Sequence, residues 1–143
     1  MTINIQDYFG KPHTAEQARD AAQLLSIVNV LLEEAQAAGA YDGTEDPDTN
    51  CQISGAKGGG GDGGFRCPNS TTGAPHSAHR DAKAVDVYDP GNKLDAWLDS
   101  FGELGPNSKL EQYNLYREAS SATPGWCHLS TRAPGSGHRT YVP

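Results

Sequence analysis

The sequence predicts an α+β fold in a single domain, residues 1–143, with a small, mainly antiparallel sheet and an N-terminal helix packed on it. Three observations predict it. One long segment repeats its apolar residues at three- and four-residue steps, which is the period of an amphipathic helix. The second half carries short alternating segments bounded by Gly, Pro, Asn and Asp, the pattern of strands and turns. The composition, with 36% hydrophobic residues, 17 Gly and 9 Pro, suits a loop-rich chain around one compact core. A mean hydropathy of -0.63 agrees with this.

The helix is expected over about 14–39, with Ala18, Ala21, Ala22, Leu25, Val28, Leu32 and Ala35 on its buried stripe. Thr14 followed by Gln17 makes a capping box at its start, and Gly39 supplies the stop. From about 41 to 64 the chain reads YDGTEDPDTNCQISGAKGGGGDGG, a long surface loop with at most a short strand near 51–54. Gly59, Gly61 and Gly64 satisfy the GxGxxG pattern, but FRCPN follows instead of the opening of a helix, so no dinucleotide site is inferred. Residues 83–88 alternate, with Val85 and Val87 on the core face and Ala84, Asp86 and Tyr88 on the other. DPGNKLDAWLDSFG then predicts a turn and a short helix whose apolar side is Leu94, Trp97, Leu98 and Phe101. Two further strands are expected at about 112–119 and 126–131, joined by a Pro-Gly turn.

Charge and composition exclude several functions. A net charge of -7 argues against nucleic acid as a partner, because such binding rests on Lys and Arg neutralising phosphates. The N-terminal residues show no basic segment followed by an apolar run, and nothing approaches the roughly 18 apolar residues of a membrane span. Neither a secretory signal nor a membrane anchor is therefore expected. Cys51, Cys67 and Cys127 are odd in number and lack a CxxC pair, which fits neither a disulfide framework nor a zinc ribbon. A single Cys51 to Cys67 bridge across the glycine-rich segment is left open.

His79, Asp86 and His128 are the residues to which chemistry is assigned. Two imidazoles and a carboxylate suit zinc, and three protein ligands leave a fourth position for water. Each also has an ordinary role available: a polar turn residue, a strand-end carboxylate and a half-buried histidine. Glu118, on the strand before His128, can project to the same face. His76 is the alternative ligand, His13 and His138 are expected at the surface, and Cys127 should point away from the metal face because it adjoins His128 on a strand.

SAHRDAKAVD resembles the SxHxxGxAxD motif of the zinc D-alanyl-D-alanine carboxypeptidase family, which includes D,D-dipeptidases and phage L-alanyl-D-glutamate endolysins. Ser77, His79, Ala84 and Asp86 match, and Ala82 stands where glycine is usual. GFRCPN is similar to the family's SGxR segment, and GWCHLS to its closing WxH motif. The motifs keep the family's order and set a catalytic core at about 50–131. The resemblance implies a fold shared with the zinc domain of Hedgehog signalling proteins, one zinc ion per chain and His128 as third ligand. It also implies that Arg66 binds a substrate carboxylate or polarises the scissile carbonyl. Relatives often place the catalytic glutamate a few residues before the last histidine; here Glu118 stands ten before it, with Glu111 the next choice.

The implied function is a zinc metallopeptidase that hydrolyses stem peptides of bacterial peptidoglycan, as a D-Ala-D-Ala carboxypeptidase or an L-Ala-D-Glu endopeptidase. Glu118 would be its general base, Arg66 its oxyanion or carboxylate partner, Ser77 a substrate contact or a group that supports the ligands, and Trp126 a substrate-binding wall of the cleft or plain core. Such a protein is expected to be a monomer, a phage or prophage endolysin made in the cytoplasm and reaching the cell wall through a holin-type lesion. The rival expectation is a non-catalytic, zinc-stabilised structural or binding module of a virion, closed by a fourth protein ligand such as His76. The loop over 41–64 is the expected selectivity element.

Overall fold

The computed structural model describes residues 3, 5–9, 13–43 and 77–143. A short helix α1 (Ile5–Phe9) leads into the long α2 (Ala15–Ala37). As the sequence predicts, Thr14 caps α2: its hydroxyl accepts from the Gln17 N–H, and the Gln17 side chain accepts from the Thr14 N–H. Its buried stripe is Ala21, Leu24, Leu25, Val28, Leu31, Leu32 and Ala35. Ala22, expected inside, is exposed, because the larger Leu24 and Leu31 set the centre of the stripe. Two contacts hold the N-terminal segment. Ile3 exchanges two 2.9 Å backbone bonds with the Asn29 amide, and the Tyr8 hydroxyl donates to the Ala84 carbonyl at 2.7 Å.

Beyond 76 the chain forms a 3-10 turn (Ala78–Asp81), strand β1 (Ala84–Tyr88), a second 3-10 turn (Pro90–Asn92) and helix α3 (Lys93–Ser100). Asp89 holds α3 at its start: its carboxylate accepts from the Leu94 N–H at 3.0 Å and from that of Asp95 at 3.3 Å. Leu94 and Leu98 are buried as predicted, while Trp97 and Phe101 pack edge to face and are only partly covered. Helix α4 (Lys109–Tyr113), strand β2 (Tyr116–Glu118), a 3-10 turn (Ser120–Ala122), strand β3 (Trp126–Ser130) and strand β4 (Thr140–Tyr141) complete the order.

The expected strand over 112–119 is thus shorter, and its first residues are helical. Ser108 is the reason. Its hydroxyl accepts from the Glu111 N–H at 3.2 Å, starting a one-turn helix that Asn114 ends in the left-handed region at φ 53°. Glu34 of α2 binds both Lys109 and Tyr113 and ties that turn down.

The sheet order is β1-β3-β2-β4. Strand β3 runs antiparallel to both neighbours, but β2 and β4 are parallel, so the sheet is mixed. Chain reversal after β3 would ordinarily give another antiparallel neighbour. Both flanks of β3 are already taken by β1 and β2, so the returning chain docks on the outer edge of β2 and runs the same way as β2. A two-residue strand carries too little alternation to be read in advance.

One face of the sheet is core. Val85, Val87, Cys127 and Leu129 are buried with the stripe of α2 and with Leu94 and Leu98 of α3. Arg117, only 1% exposed, also lies within the fold, and its guanidinium donates to Asp95 at 2.8 Å and to Asp99, both on α3. Among the described residues, no helix is long and apolar enough to cross a membrane.

Two substitutions test these contacts. Arg117→Ala strands Asp95 as a buried, uncompensated charge and should cost about 3–5 kcal/mol in urea unfolding. Ala82, buried between the first 3-10 turn and β1, sits in the left-handed region at φ 58° and ψ 35°. That conformation costs an L-residue about 1–2 kcal/mol. Replacing it with glycine removes the strain but gives up a buried methyl, about 0.8 kcal/mol, and frees the unfolded chain by about 0.5–1 kcal/mol. Ala82→Gly should therefore unfold within about 1 kcal/mol of the parent, whereas the β-branched Ala82→Val should lose more than about 2 kcal/mol.

Candidate metal centre

The face of the sheet opposite the core carries the polar cluster. In the β1–β3 ladder Tyr88 pairs with Trp126, Asp86 with His128 and Ala84 with Ser130. Residues directly opposite in a ladder project to the same side. Asp86 and His128 therefore stand side by side, with Asp86 Oδ1 and His128 Nδ1 2.8 Å apart. The alternation that turns His128 to this face turns Cys127 to the other, where it is fully buried in the apolar core as expected.

His79 reaches the same point from the 3-10 turn that precedes β1. Ser77 starts that turn, its hydroxyl accepting from the His79 N–H at 3.2 Å. Ala82 ends it: the left-handed residue lets its own N–H bond the His79 carbonyl, and that of Lys83 the Ala78 carbonyl, before the chain enters β1. The result sets His79 Nε2 3.4 Å from Asp86 Oδ1, with the two imidazole rings 5.1 Å apart at 65°. Ser77, expected either at the substrate or as a support for the ligands, thus has its hydroxyl on the backbone of the turn that carries His79.

His79, Asp86 and His128 are all buried and offer one donor atom each within 4.8 Å of one another. They form a cluster that can hold a metal ion. Tetrahedral zinc with bonds of about 2.0–2.1 Å needs donors about 3.3 Å apart. Two of the three donor spacings here, 2.8 and 3.4 Å around one carboxylate oxygen, lie within about 0.5 Å of that value, the third is within 4.8 Å, and the mix of two imidazole nitrogens and one oxygen suits zinc. The Asp86 carboxyl is held ionised. Burial opposes ionisation of Asp86, yet the charge of His79 and the hydrogen bond and charge of His128 outweigh it and hold the carboxyl well below the usual range.

The next strand places Glu118 beside the cluster. Tyr116 pairs with Ser130 and Arg117 with Leu129, which brings Glu118 level with His128, its Oε2 3.5 Å from His128 Nδ1. Its side chain is 19% exposed against 2–7% for those of the three donors. Glu118 is thus the carboxylate at the site that solvent reaches. Trp126, half-buried, pairs with Tyr88 two residues along the ladder and borders the cluster.

Other sequence candidates lie elsewhere. Glu111 is on α4, where its carboxylate accepts from the Gly105 N–H at 2.7 Å. His13 stacks on Phe9, and His138 pairs with Glu103 at the surface. Arg66, His76, Cys51, Cys67 and most of the glycine-rich loop lie outside the described residues. Sequence reading missed Tyr141, which pairs with Glu118 across the parallel β2–β4 ladder. Only the topology reveals it.

Calorimetric titration of the chelator-treated protein with zinc should saturate at one ion per chain. Affinity should fall as pH is lowered through the range in which imidazoles protonate, because ligation needs the neutral rings. Asp86→Asn should weaken binding by more than about 100-fold, since changes in the groups behind the ligands alone cost about 10–100-fold. No family model, curated protein or solved structure matches this chain.

Proposed function

We propose that this protein is a zinc metallopeptidase that hydrolyses stem peptides of bacterial peptidoglycan. The observation that carries the reading is a buried pair of histidines and one aspartate with a solvent-reachable carboxylate, Glu118, 3.5 Å from one of them. Three ligands leave a position open on zinc, which is the arrangement of catalytic rather than structural sites. The motif resemblance supports the substrate class, and the left-handed geometry of Ala82 supports the resemblance, because glycine is the usual residue there and adopts that geometry without strain.

Zinc held by His79, Asp86 and His128 supplies a Lewis acid that brings the pKa of a water near neutrality and polarises a carbonyl. The chain's own residues do the rest. Glu118 accepts the proton that the attacking water loses and returns it to the amine that departs, so one carboxylate serves as base and then as acid. Arg66 offers a planar fork to the developing oxyanion or to a substrate carboxylate. Trp126 forms one wall of the cleft. Ser77, by capping the turn, holds His79 in place. The protein acts as a phage or prophage endolysin, made in the cytoplasm and released to the wall through a holin-type lesion.

Digestion of purified peptidoglycan, with mass spectrometry of the products, tests the activity and identifies the bond. Chelation should abolish it and zinc restore it. Glu118→Gln should keep zinc near one per chain while hydrolysis drops by about 10²–10⁴-fold. Undiminished turnover in that variant removes Glu118 from the mechanism.

A further inference from the structure

The pairing of the four strands lines up one row across the face of the sheet opposite the core. Asp86 lies opposite His128 on β1 and β3, Glu118 lies level with His128 on β2, and Tyr141 lies opposite Glu118 on β4. Neighbouring strands are about 4.8 Å apart, so Tyr141 stands one strand beyond Glu118 and two strands, about 10 Å, from His128. The row therefore runs in the order metal donors, acid–base carboxylate, phenol.

That order has a direction. Glu118 must hand its proton to the departing amine, so on the peptidase reading, on which this inference rests, the leaving residue lies on Glu118's side of the scissile bond. The next group along the row meets that residue. We propose that Tyr141 is a substrate-binding residue whose phenol O–H donates to the carbonyl or carboxylate oxygen of the residue after the scissile bond.

The surroundings suit a donor. Tyr141 is half-buried, and burial, followed by the negative charge of Glu118, pushes its phenol up to about 12, with Arg132 opposing and Asp86 adding to the effect. It stays protonated across the working range of an enzyme, and two carboxylates on its own face disfavour a phenolate there. An acceptor on the substrate is the partner that such a phenol can bind without cost. β4, only two residues long, is then the element that carries a specificity contact to the site.

The zinc-loaded full chain, as wild type and as Tyr141→Phe, should be compared on two substrates. One is a stem peptide, and the other has the same acyl part but a simple amine as leaving group, with no carbonyl or carboxylate beyond the scissile bond. Tyr141→Phe should lose about 10- to 100-fold in kcat/KM on the peptide, the range for a hydrogen bond to a charged or strongly polarised acceptor, and nothing on the amine substrate. Equal losses on both substrates, or no loss on the peptide, overturn the proposal. Zinc content and melting temperature should match those of the wild type. If the wild type cleaves neither substrate, the peptidase reading has failed. Calorimetric binding of the stem peptide to the zinc-loaded protein then decides Tyr141 separately: about tenfold weaker binding by Tyr141→Phe supports the contact, and unchanged affinity overturns it.

Discussion

Burying the Asp86 carboxylate is unfavourable by itself, and what offsets it is the pair of imidazoles that the backbone brings to it. One comes from the strand partner, through the pairing of Asp86 with His128. The other comes from the turn immediately before the strand, through the left-handed residue Ala82. Both devices are backbone devices. The histidines and the aspartate are therefore held by ladder and turn hydrogen bonds, which leaves the side chains with little freedom to lose when a cation enters. Two imidazole nitrogens converge on one carboxylate oxygen, an arrangement that can hold a cation.

The two faces of β2 divide support from chemistry within three residues. Arg117 points inward and is fixed by Asp95 and Asp99 of α3, while Glu118 points outward to the cluster. Asp95 is itself held, accepting from the Asn92 side chain at 2.8 Å, and Asn92 also donates to the carbonyls of Thr123 and Trp126 at either side of the β2–β3 turn. A strand of three residues has few ladder bonds of its own. Its position is set by a buried ion pair anchored on a helix, so the placing of Glu118 depends on charges on the far side of the sheet.

The candidate metal donors were reached from the sequence through the motif resemblance, not from spacing: HSAHRDAKAVDVYDP holds two of the three, and WCH the other. The capping box of α2, the alternation of 83–88 and the inward orientation of Cys127 were legible from the residues themselves, since each is a local pattern with one structural solution. What was not legible depends on distant partners. Ser108 and Glu111 had the residues of a helix start that was not read, and Gln112 and Tyr113 were placed in a strand because Tyr113, Leu115 and Tyr116 suit one. Strand β4 exists only because β2 has a vacant edge. Ser77 was read as either a substrate contact or a support for the ligands, and its bond to the His79 N–H agrees with the second.

Strand β3 occupies the centre of the sheet with an imidazole on one side and a thiol on the other. Cys127 and His128 are neighbours, and a slip of one residue in β3 would exchange them, presenting sulfur to the metal face and pushing a histidine into the core. The native alignment keeps the thiol fully covered, and burial pushes it well above its ordinary ionisation range, so it is shielded from alkylating reagents. Strand β3 works as an insulator between a soft nucleophile and a cluster that can hold a metal ion. Access to that one sulfur thus reports, in the native molecule, how often the middle of the sheet opens.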